Sequence, residues 1–386
     1  MRGLTPKFWL DVLRVVGLAE GMLRILLAVL GMSGWGVGAV HDLYVGTRTD
    51  RESKGIYRMR FDDQRGELQG LELVATYSNP GFLCQHPTKS LMYAVGNRAD
   101  GTGTLAVFAV EKNKPLTFLA DVATGGQGPC HLALNEKAEV MAVANYGTGS
   151  TATFLMNAKG MPSEAVTVIK NEGKSVHPQR QTAPHAHGVY FSGNQLFVPD
   201  LGTDQVLVYE VDAKSAVIAP ATPPFAPLAA GDGPRHLAIH LQKPWLYVVN
   251  ELSNTITHFV REEQGLKALQ TIATLPKDFT GTNTTAEIEI HPNGRFLYAS
   301  NRGHDSIAAY QIDAKTGSLE RLGLFPLAVK TPRHFAIAPG GAFLVAAGQD
   351  SDRLQTFAID PQSGKLTAVG QLVEVPSPTC LLFARP

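Results

Sequence analysis

Short runs of apolar residues separated by polar turns follow one another along the chain from about residue 41 to its end. In one stretch these runs cover residues 236–240, 246–250, 255–260 and 269–275, with turn-forming and charged residues between them. Runs of this length bounded by turn residues are typical of β-strands rather than helices. We therefore predict four antiparallel strands in this stretch.

The same arrangement recurs as a repeat. Each copy has a turn, usually with Pro, then an apolar strand, a polar turn and a second apolar strand that often ends in Asn or Asp. The first turns lie at positions 80, 129, 184, 234, 285, 332 and 378, which are 49, 55, 50, 51, 47 and 46 residues apart. Four short antiparallel strands in roughly 40–50 residues are the signature of a β-propeller blade.

The seventh copy is split between the two ends of the chain. It begins at Ser377-Pro378 but ends before a second strand, and residues 43–47 supply a candidate for that strand. An open ring would expose two sheet edges, whereas a shared blade closes it. We predict an all-β fold, a seven-bladed β-propeller whose last blade is closed by the N-terminal strand.

Residues 1–40 differ from the rest of the chain. Arg24 precedes an apolar run at residues 25–30, and small residues follow up to Ala39. This is the layout of a secretory signal peptide, with Met22 as an alternative start. We predict a removable leader over 1–40 and a propeller domain over 41–386, in the periplasm or secreted. A membrane anchor or an amphipathic helix is the alternative, although the run is shorter than the ~20 residues that span a bilayer. Without a signal the protein would be cytoplasmic.

The overall charge is balanced, because 34 Lys and Arg residues oppose 34 Asp and Glu residues. No global field would attract nucleic acid or anionic lipid, so we predict neither nucleic acid nor, after leader removal, a membrane as a partner. Cys84, Cys130 and Cys380 form neither a disulfide framework nor a zinc-binding spacing. We interpret them as buried thiols, and we predict no metal, no cofactor and a monomer.

Polar residues gather at the turns that would surround one mouth of the central channel. Because adjacent strands of a blade are antiparallel, the turn before the first strand lies beside the turn after the second. Arg235 precedes such a first strand and Glu251 follows the second, so the two should lie close together. Arginines in equivalent turns are Arg180, Arg302 and Arg333. Four convergent guanidiniums would suit a carboxylate or a phosphate.

The histidines fall into two groups. His185 and His187 belong to the third repeat, where a strand would point both side chains to one side. No third ligand stands at a metal-binding spacing from them. His86, His240 and His291 lie in turns on the opposite face of the ring, and we interpret them as turn residues.

Several segments carry a more specific signal. They are Leu43-Tyr44-Val45-Gly46-Thr47, Lys54-Gly55-Ile56-Tyr57, Arg180-Gln181, Pro184-His185-Ala186-His187, Val198-Pro199-Asp200-Leu201-Gly202-Thr203-Asp204, Gly233-Pro234-Arg235-His236, Asn250-Glu251, Gly294-Arg295-Phe296-Leu297-Tyr298-Ala299-Ser300-Asn301-Arg302-Gly303 and Ala346-Ala347-Gly348-Gln349. Together they resemble the propeller lactonase family, which includes 6-phosphogluconolactonases and fungal carboxymuconate-lactonising enzymes. The resemblance extends from about His41 to the C-terminus.

The resemblance implies a lactone hydrolase of the 6-phosphogluconolactonase type, with a small-molecule lactone as substrate. The catalytic residues it implies are His187, Arg235, Glu251 and Arg302, with Arg333 as the competing match for Arg302. Further residues expected to bind substrate at the same mouth are Arg180, Gln181, His185, His236 and Arg333. The first repeat has Phe82 where several others are polar, and its blade is expected to contribute little.

In the mechanism we expect, Glu251 or His187 acts as general base on a water that attacks the lactone carbonyl. Arg235 and Arg302 then stabilise the oxyanion and hold an anionic group of the substrate. A true leader would favour an unphosphorylated lactone. A muconate-type lactonising cycloisomerase and a non-catalytic propeller binding scaffold remain the alternatives, because a fold alone does not fix a function.

Overall fold

The computed structural model describes residues 39–385, and this part of the chain is built from β-strands and turns. Its 28 strands form seven antiparallel sheets of four strands each, so the prediction of an all-β, seven-bladed propeller is confirmed. The leader predicted over residues 1–40 falls outside the described residues, apart from its last two. Among residues 39–385 no helix has the length and apolar character needed to cross a membrane.

Each blade is one four-stranded antiparallel sheet. In chain order the strands are β1 Val40–Thr47, β2 Gly55–Asp62, β3 Glu67–Thr76, β4 Leu83–Gln85, β5 Leu91–Asn97, β6 Gly103–Ala109, β7 Thr117–Ala123, β8 Pro129–Leu134, β9 Val140–Asn145, β10 Ser150–Met156, β11 Pro162–Lys170, β12 Tyr190–Ser192, β13 Gln195–Asp200, β14 Gln205–Asp212, β15 Val217–Pro227, β16 Pro234–Ile239, β17 Trp245–Asn250, β18 Thr255–Glu262, β19 Gly265–Ala273, β20 Thr284–Ile290, β21 Phe296–Arg302, β22 Ser306–Ile312, β23 Leu319–Pro326, β24 Pro332–Ile337, β25 Phe343–Gly348, β26 Arg353–Ile359, β27 Leu366–Glu374 and β28 Pro378–Phe383. Blades 1 to 6 begin at β4, β8, β12, β16, β20 and β24, and blade 7 combines β28 with β1, β2 and β3.

Blade 7 closes the ring as the sequence predicts. Strand β28 pairs antiparallel with β1, with Val45 opposite Leu381. Apolar side chains then fill the space between blades 6 and 7, where the buried ring of Phe61 meets Phe343 and Phe383 edge-on at 5.7 and 5.2 Å. Truncating a buried Phe to Ala costs about 3–5 kcal/mol, so this contact contributes substantially to closure.

The inner strands of five blades carry a register shift just after the first turn. The shifts lie between Pro129 and His131, Pro234 and His236, Thr285 and Ile288, Pro332 and His334, and Pro378 and Cys380. A bulge of this kind bends the strand and re-aims a side chain. It places Arg235 and Arg333 at the mouth of the channel, and the next residue of each strand deeper along it.

Blade 3 departs from the other blades. Its inner strand begins only at Tyr190, and Ala186 makes a single isolated bridge to Asp200. Asp200 Oδ1 accepts hydrogen bonds from the backbone N–H groups of His185 and Gly202 at 2.8 and 3.0 Å, which ties this segment to the end of β13. The expectation of a regular strand through His185 and His187 was therefore wrong.

Histidines at the opposite face join neighbouring blades. The Nδ1 atoms of His240 and His291 accept backbone N–H groups two residues ahead at 3.1 and 3.2 Å. This leaves Nε2 as the donor, and it bonds to the carbonyls of Gly294 and Gly341 in the next blade at 3.2 and 2.8 Å. His86 accepts two backbone N–H groups in the same way. The prediction that all three are turn residues is confirmed.

Candidate active site

One mouth of the central channel contains a cavity of about 460 Å³, which is in the range that small-molecule sites occupy. All seven blades contribute to it. Its lining residues are Arg48, Asn79, Gly81, Phe82, Asn97, Gly128, Pro129, Cys130, Tyr146, Arg180, His187, Arg235, His236, Glu251, Thr284, Arg302, Arg333, His334 and Thr379. The expectation that blade 1 contributes little was wrong, because Gly81 and Phe82 both form part of this wall.

A buried carboxylate stands at the centre of the mouth. Glu251 is only 3% exposed. Its oxygens lie 2.6 Å from Arg180 Nη2, 3.1 Å from Arg235 Nε and 3.0 Å from Arg302 Nη2. His187 Nε2 approaches the same carboxylate at 4.0 Å. We call Glu251 and its three arginines the mouth cluster.

The mouth cluster determines the ionisation of Glu251. Burial alone would raise its pKa, but the charges of Arg302, Arg235 and Arg180 outweigh burial and lower the pKa to about 2. A general base works best when its pKa lies near the working pH. Glu251 is therefore suited to holding the three guanidiniums in place and poorly suited to removing a proton from water.

Arg333 differs from the other arginines that line the cavity. Arg235 donates to Ala286 O at 2.6 Å, Arg302 to Thr285 O at 2.9 Å and Arg180 to the Tyr146 hydroxyl at 3.2 Å. Within residues 39–385, no hydrogen bond or ion pair joins the Arg333 guanidinium to another residue. Burial, Arg235 and Arg302 lower its pKa to about 9, so it remains charged near neutral pH and can receive an anion.

Below the mouth the channel narrows to a neck of five side chains. They are Phe82, His131, His236, Glu287 and His334. The Phe82 ring lies 4.2 Å from that of His131 and 5.5 Å from that of His334, measured between centroids. The neck separates the mouth cavity from a second one of about 440 Å³, which shares Phe82 and His334 with it.

Two predicted substrate-binding residues lie outside the cavity lining. Gln181 is fully buried, and its Nε2 donates to Leu201 O at 2.9 Å and to Asp204 at 2.7 Å. His185 stacks on the ring of Tyr146 at 4.4 Å and bonds to its carbonyl at 2.9 Å. These contacts brace the loops that carry Arg180 and Tyr146. The structure does bring the other predicted site residues together around the cavity.

Glu287 was not predicted as a site residue, although the repeat contains a signal for it. His131, His236 and His334 each stand two residues after the first turn of their blade, and Glu287 stands two residues after Thr285. Blade 5 has Thr285 where other copies have Pro, and for that reason the equivalence of Glu287 to these histidines was overlooked. In the described part of the chain, no group of three or more His, Cys, Asp or Glu side chains is arranged to hold a metal ion.

A family described as "Lactonase, 7-bladed beta-propeller" matches residues 42–383. The chain belongs to this lactonase family. The match covers both ends of the split blade and every residue of the mouth cluster.

Individual relatives match over most of their length. A 6-phosphogluconolactonase of Bacillus subtilis is 32% identical over 346 residues, which cover 88% of this chain and 97% of that protein. A 6-phosphogluconolactonase of Formosa agariphila is 30% identical over 303 residues, or 76% of this chain and 85% of the other. The solved structure of the Pseudomonas aeruginosa periplasmic gluconolactonase PpgL matches with a TM-score of 0.85 at 34% identity, covering 90% of this lactonase-family chain and 99% of PpgL.

Proposed function

We propose that the protein is a hydrolase of the 6-phosphogluconolactonase type, which opens a sugar lactone with water. The observation that carries the proposal is the set of fixed guanidiniums around one cavity. Three of them are held by Glu251, and Arg333 is left free to bind an anion. Donors that are in place before the substrate arrives stabilise a developing oxyanion most effectively.

In the proposed reaction a water oxygen forms a bond to the lactone carbonyl carbon, and the bond from that carbon to the ring oxygen then breaks. One water proton passes through a base to the ring oxygen, which becomes a hydroxyl group. The product carboxylic acid releases the remaining proton to solvent near neutral pH. Arg235 and Arg302 stabilise the negative charge that the carbonyl oxygen carries in between.

Glu251 is held in ion pairs with three guanidiniums, which leaves an imidazole as the group that takes the proton from water. His187 and His236 both line the cavity, with ring centroids 5.3 Å apart. Burial, followed by the charge of Arg235, lowers the pKa of both side chains well below the ordinary value. Both are therefore neutral near pH 7, which is the form that accepts a proton.

The charge of the cavity favours a substrate with a negative group beyond the lactone itself. Five arginines and one carboxylate line the mouth cavity. Arg48 is paired with Asp50, and positive charge remains on the other four when Glu251 has been paired. A phosphate or carboxylate on the sugar would occupy Arg333 in a bidentate contact. A phosphorylated aldonolactone is the first substrate to test.

An unphosphorylated gluconolactone is the second candidate. The Pseudomonas aeruginosa relative is named a periplasmic gluconolactonase, and the leader predicted over residues 1–40 agrees with export. We propose the periplasm as the location of the mature protein. N-terminal sequencing of the protein from fractionated cells tests this, since export predicts a mature chain that begins near His41, and an intact Met1 or Met22 in the cytoplasm would contradict it.

The function is tested by ring opening of 6-phosphoglucono-δ-lactone and glucono-δ-lactone above their spontaneous rates. A charged hydrogen bond contributes roughly 1.5–3 kcal/mol, so we expect kcat/KM to be about 10- to 100-fold higher for the phosphorylated lactone. Comparable rates on both would remove the requirement for an anionic group. No acceleration of either lactone would favour the binding scaffold.

A further inference from the structure

A buried glutamate in the neck makes contacts that lactone binding at the mouth does not explain. Glu287 is 6% exposed and does not line the mouth cavity. Its two oxygens lie 3.1 and 3.0 Å from His236 Nδ1, and Oε2 lies 3.3 Å from His334 Nε2. Glu287 therefore joins two neck histidines from two other blades.

The neighbouring hydrogen bonds indicate which atoms in these contacts donate and which accept. His334 Nδ1 accepts the backbone N–H of Leu381 at 3.3 Å, so Nε2 carries the proton and lies 3.3 Å from Glu287 Oε2. The backbone N–H of Ile288 donates to Glu287 Oε1 at 3.1 Å. Because two donors already point at this carboxylate, it acts as an acceptor, and His236 Nδ1–H is the third donor.

This arrangement leaves the other nitrogen of His236 available. His236 lines the mouth cavity, and its Nε2 is buried without a hydrogen-bond partner among the described residues. A buried nitrogen with a free lone pair calls for a partner. A carboxylate on one imidazole nitrogen and an unpartnered second nitrogen, on a ring that lines a reaction site, is the arrangement that orients a base in many hydrolases.

We propose that Glu287 is a positioning residue, which holds His236 with Nε2 towards the mouth so that His236 is the base that takes the proton from the attacking water. This proposal rests on the proposed function. His236 Nε2 accepts the water proton and returns it to the ring oxygen as that oxygen leaves. Glu287 stabilises the imidazolium between the two steps.

The second imidazole at the mouth lacks such support. Among residues 39–385, the polar contact of His187 Nδ1 is with the Cys130 sulfur at 3.9 Å, and Nε2 lies 4.0 Å from Glu251. Burial, followed by the charges of Arg235, Arg333 and Arg302, lowers the pKa of His236, whereas the charge of Glu251 raises it. Arg235 Nη1 lies 3.4 Å from His236 Nδ1, and the Glu287 carboxylate lies 3.0 Å from the same nitrogen.

Kinetics of Glu287→Gln test the proposal in the full-length protein. Loss of a positioned base lowers kcat by about 10²–10⁴-fold, and we expect a loss in this range with KM changed less than about threefold. His236→Asn should cause a similar loss, and the double variant should lose little more, because residues that act as a unit are not additive. Glu287→Asp should recover part of the rate. A wild-type kcat in Glu287→Gln, or additive losses, would overturn the proposal.

Glu289→Gln is the matched control. Glu289 lies on the same strand, accepts the Ile337 N–H at 3.0 Å and does not line the mouth. Burial and then Glu287 raise its pKa to about 8, so glutamine resembles its prevailing protonated form at pH 7. We expect its kcat to stay within about twofold of wild type.

Nitrogen NMR of the histidines tests the positioning role without any lactone. The His236 resonance, assigned by its loss in His236→Asn, should report a neutral ring with the proton on Nδ1. A proton on Nε2 in the wild-type protein would overturn the proposal even if Glu287→Gln does not fold. A protein with the expected tautomer that opens no lactone would instead contradict the proposed function.

Discussion

The mouth and the neck of the channel each contain one buried glutamate, and the two carboxylates are held in opposite ways. Glu251 at the mouth is bound by three guanidiniums, which lower its pKa to about 2. Glu287 in the neck is bound by two imidazoles, and burial raises its pKa. Glu251 is thus a permanent anion, whereas Glu287 can share a proton with the imidazoles beside it.

This difference shows that neighbouring side chains can give two carboxylates of one channel different roles. Arginines are charged at any working pH, so a carboxylate among them fixes an array of donors and exchanges no proton. A neutral imidazole can take up a proton and release it again, so a carboxylate beside it can direct a proton. We assign anion binding to the mouth and proton transfer to the place where the mouth meets the neck.

The largest expected effect follows from removing the mouth carboxylate. Glu251→Gln leaves three guanidiniums without their shared partner, and breaking a buried pair in this way costs about 3–5 kcal/mol. We expect unfolding in urea to show that loss, and kcat/KM to fall roughly 10³-fold because the oxyanion donors are displaced. Glu374→Gln, at an exposed ion pair with Arg353, should change neither. Unchanged stability in Glu251→Gln would mean that the mouth cluster is not held by its charge.

Arg333 should affect binding of the anionic substrate more than the fold. Because no described residue pairs with its guanidinium, Arg333→Ala leaves no carboxylate unpaired. We expect kcat/KM for 6-phosphoglucono-δ-lactone to fall about 10- to 100-fold, with a much smaller change for glucono-δ-lactone. Arg353→Ala on the outer face is the control. Equal losses on both lactones would place Arg333 at the oxyanion rather than at the anionic group.

Acid should reveal the Glu251 contribution to stability. Its pKa is depressed from an unfolded value of about 4.3 to about 2, so this stabilisation is complete above the unfolded pKa and is lost as the pH falls towards the folded one. We expect the stability difference between wild type and Glu251→Gln to be constant from pH 7 to about pH 5 and to shrink below pH 4.5. A difference that persists to pH 2 would show that packing, and not charge, is responsible.

The smallest effect is expected at the opposite face. His291→Phe removes the hydrogen bond to Gly341 O in the next blade and should cost about 1–2 kcal/mol in urea unfolding. Because His291 does not line the mouth, kcat should not change. A loss of kcat would show that the two faces of the ring are coupled.

The repeat made the fold predictable, and it also placed part of the site. Arg235 and Glu251 were located correctly because any antiparallel blade brings those two turns together. The irregular start of blade 3 was not predictable, because it depends on the Asp200 side chain binding backbone groups. The inward contacts of Gln181 were missed for a similar reason, since nearness in the chain does not show where a side chain points.

Where the product binds decides between these roles, and the structure of the protein with 6-phosphogluconate bound would show it. We predict that the product occupies the mouth cavity, with its phosphate within hydrogen-bond distance of Arg333 and its carboxylate facing Arg235, Arg302 and the Nε2 atom of His236. Product bound in the second cavity, beyond Phe82, or bound at the mouth with no contact to these arginines, would contradict it.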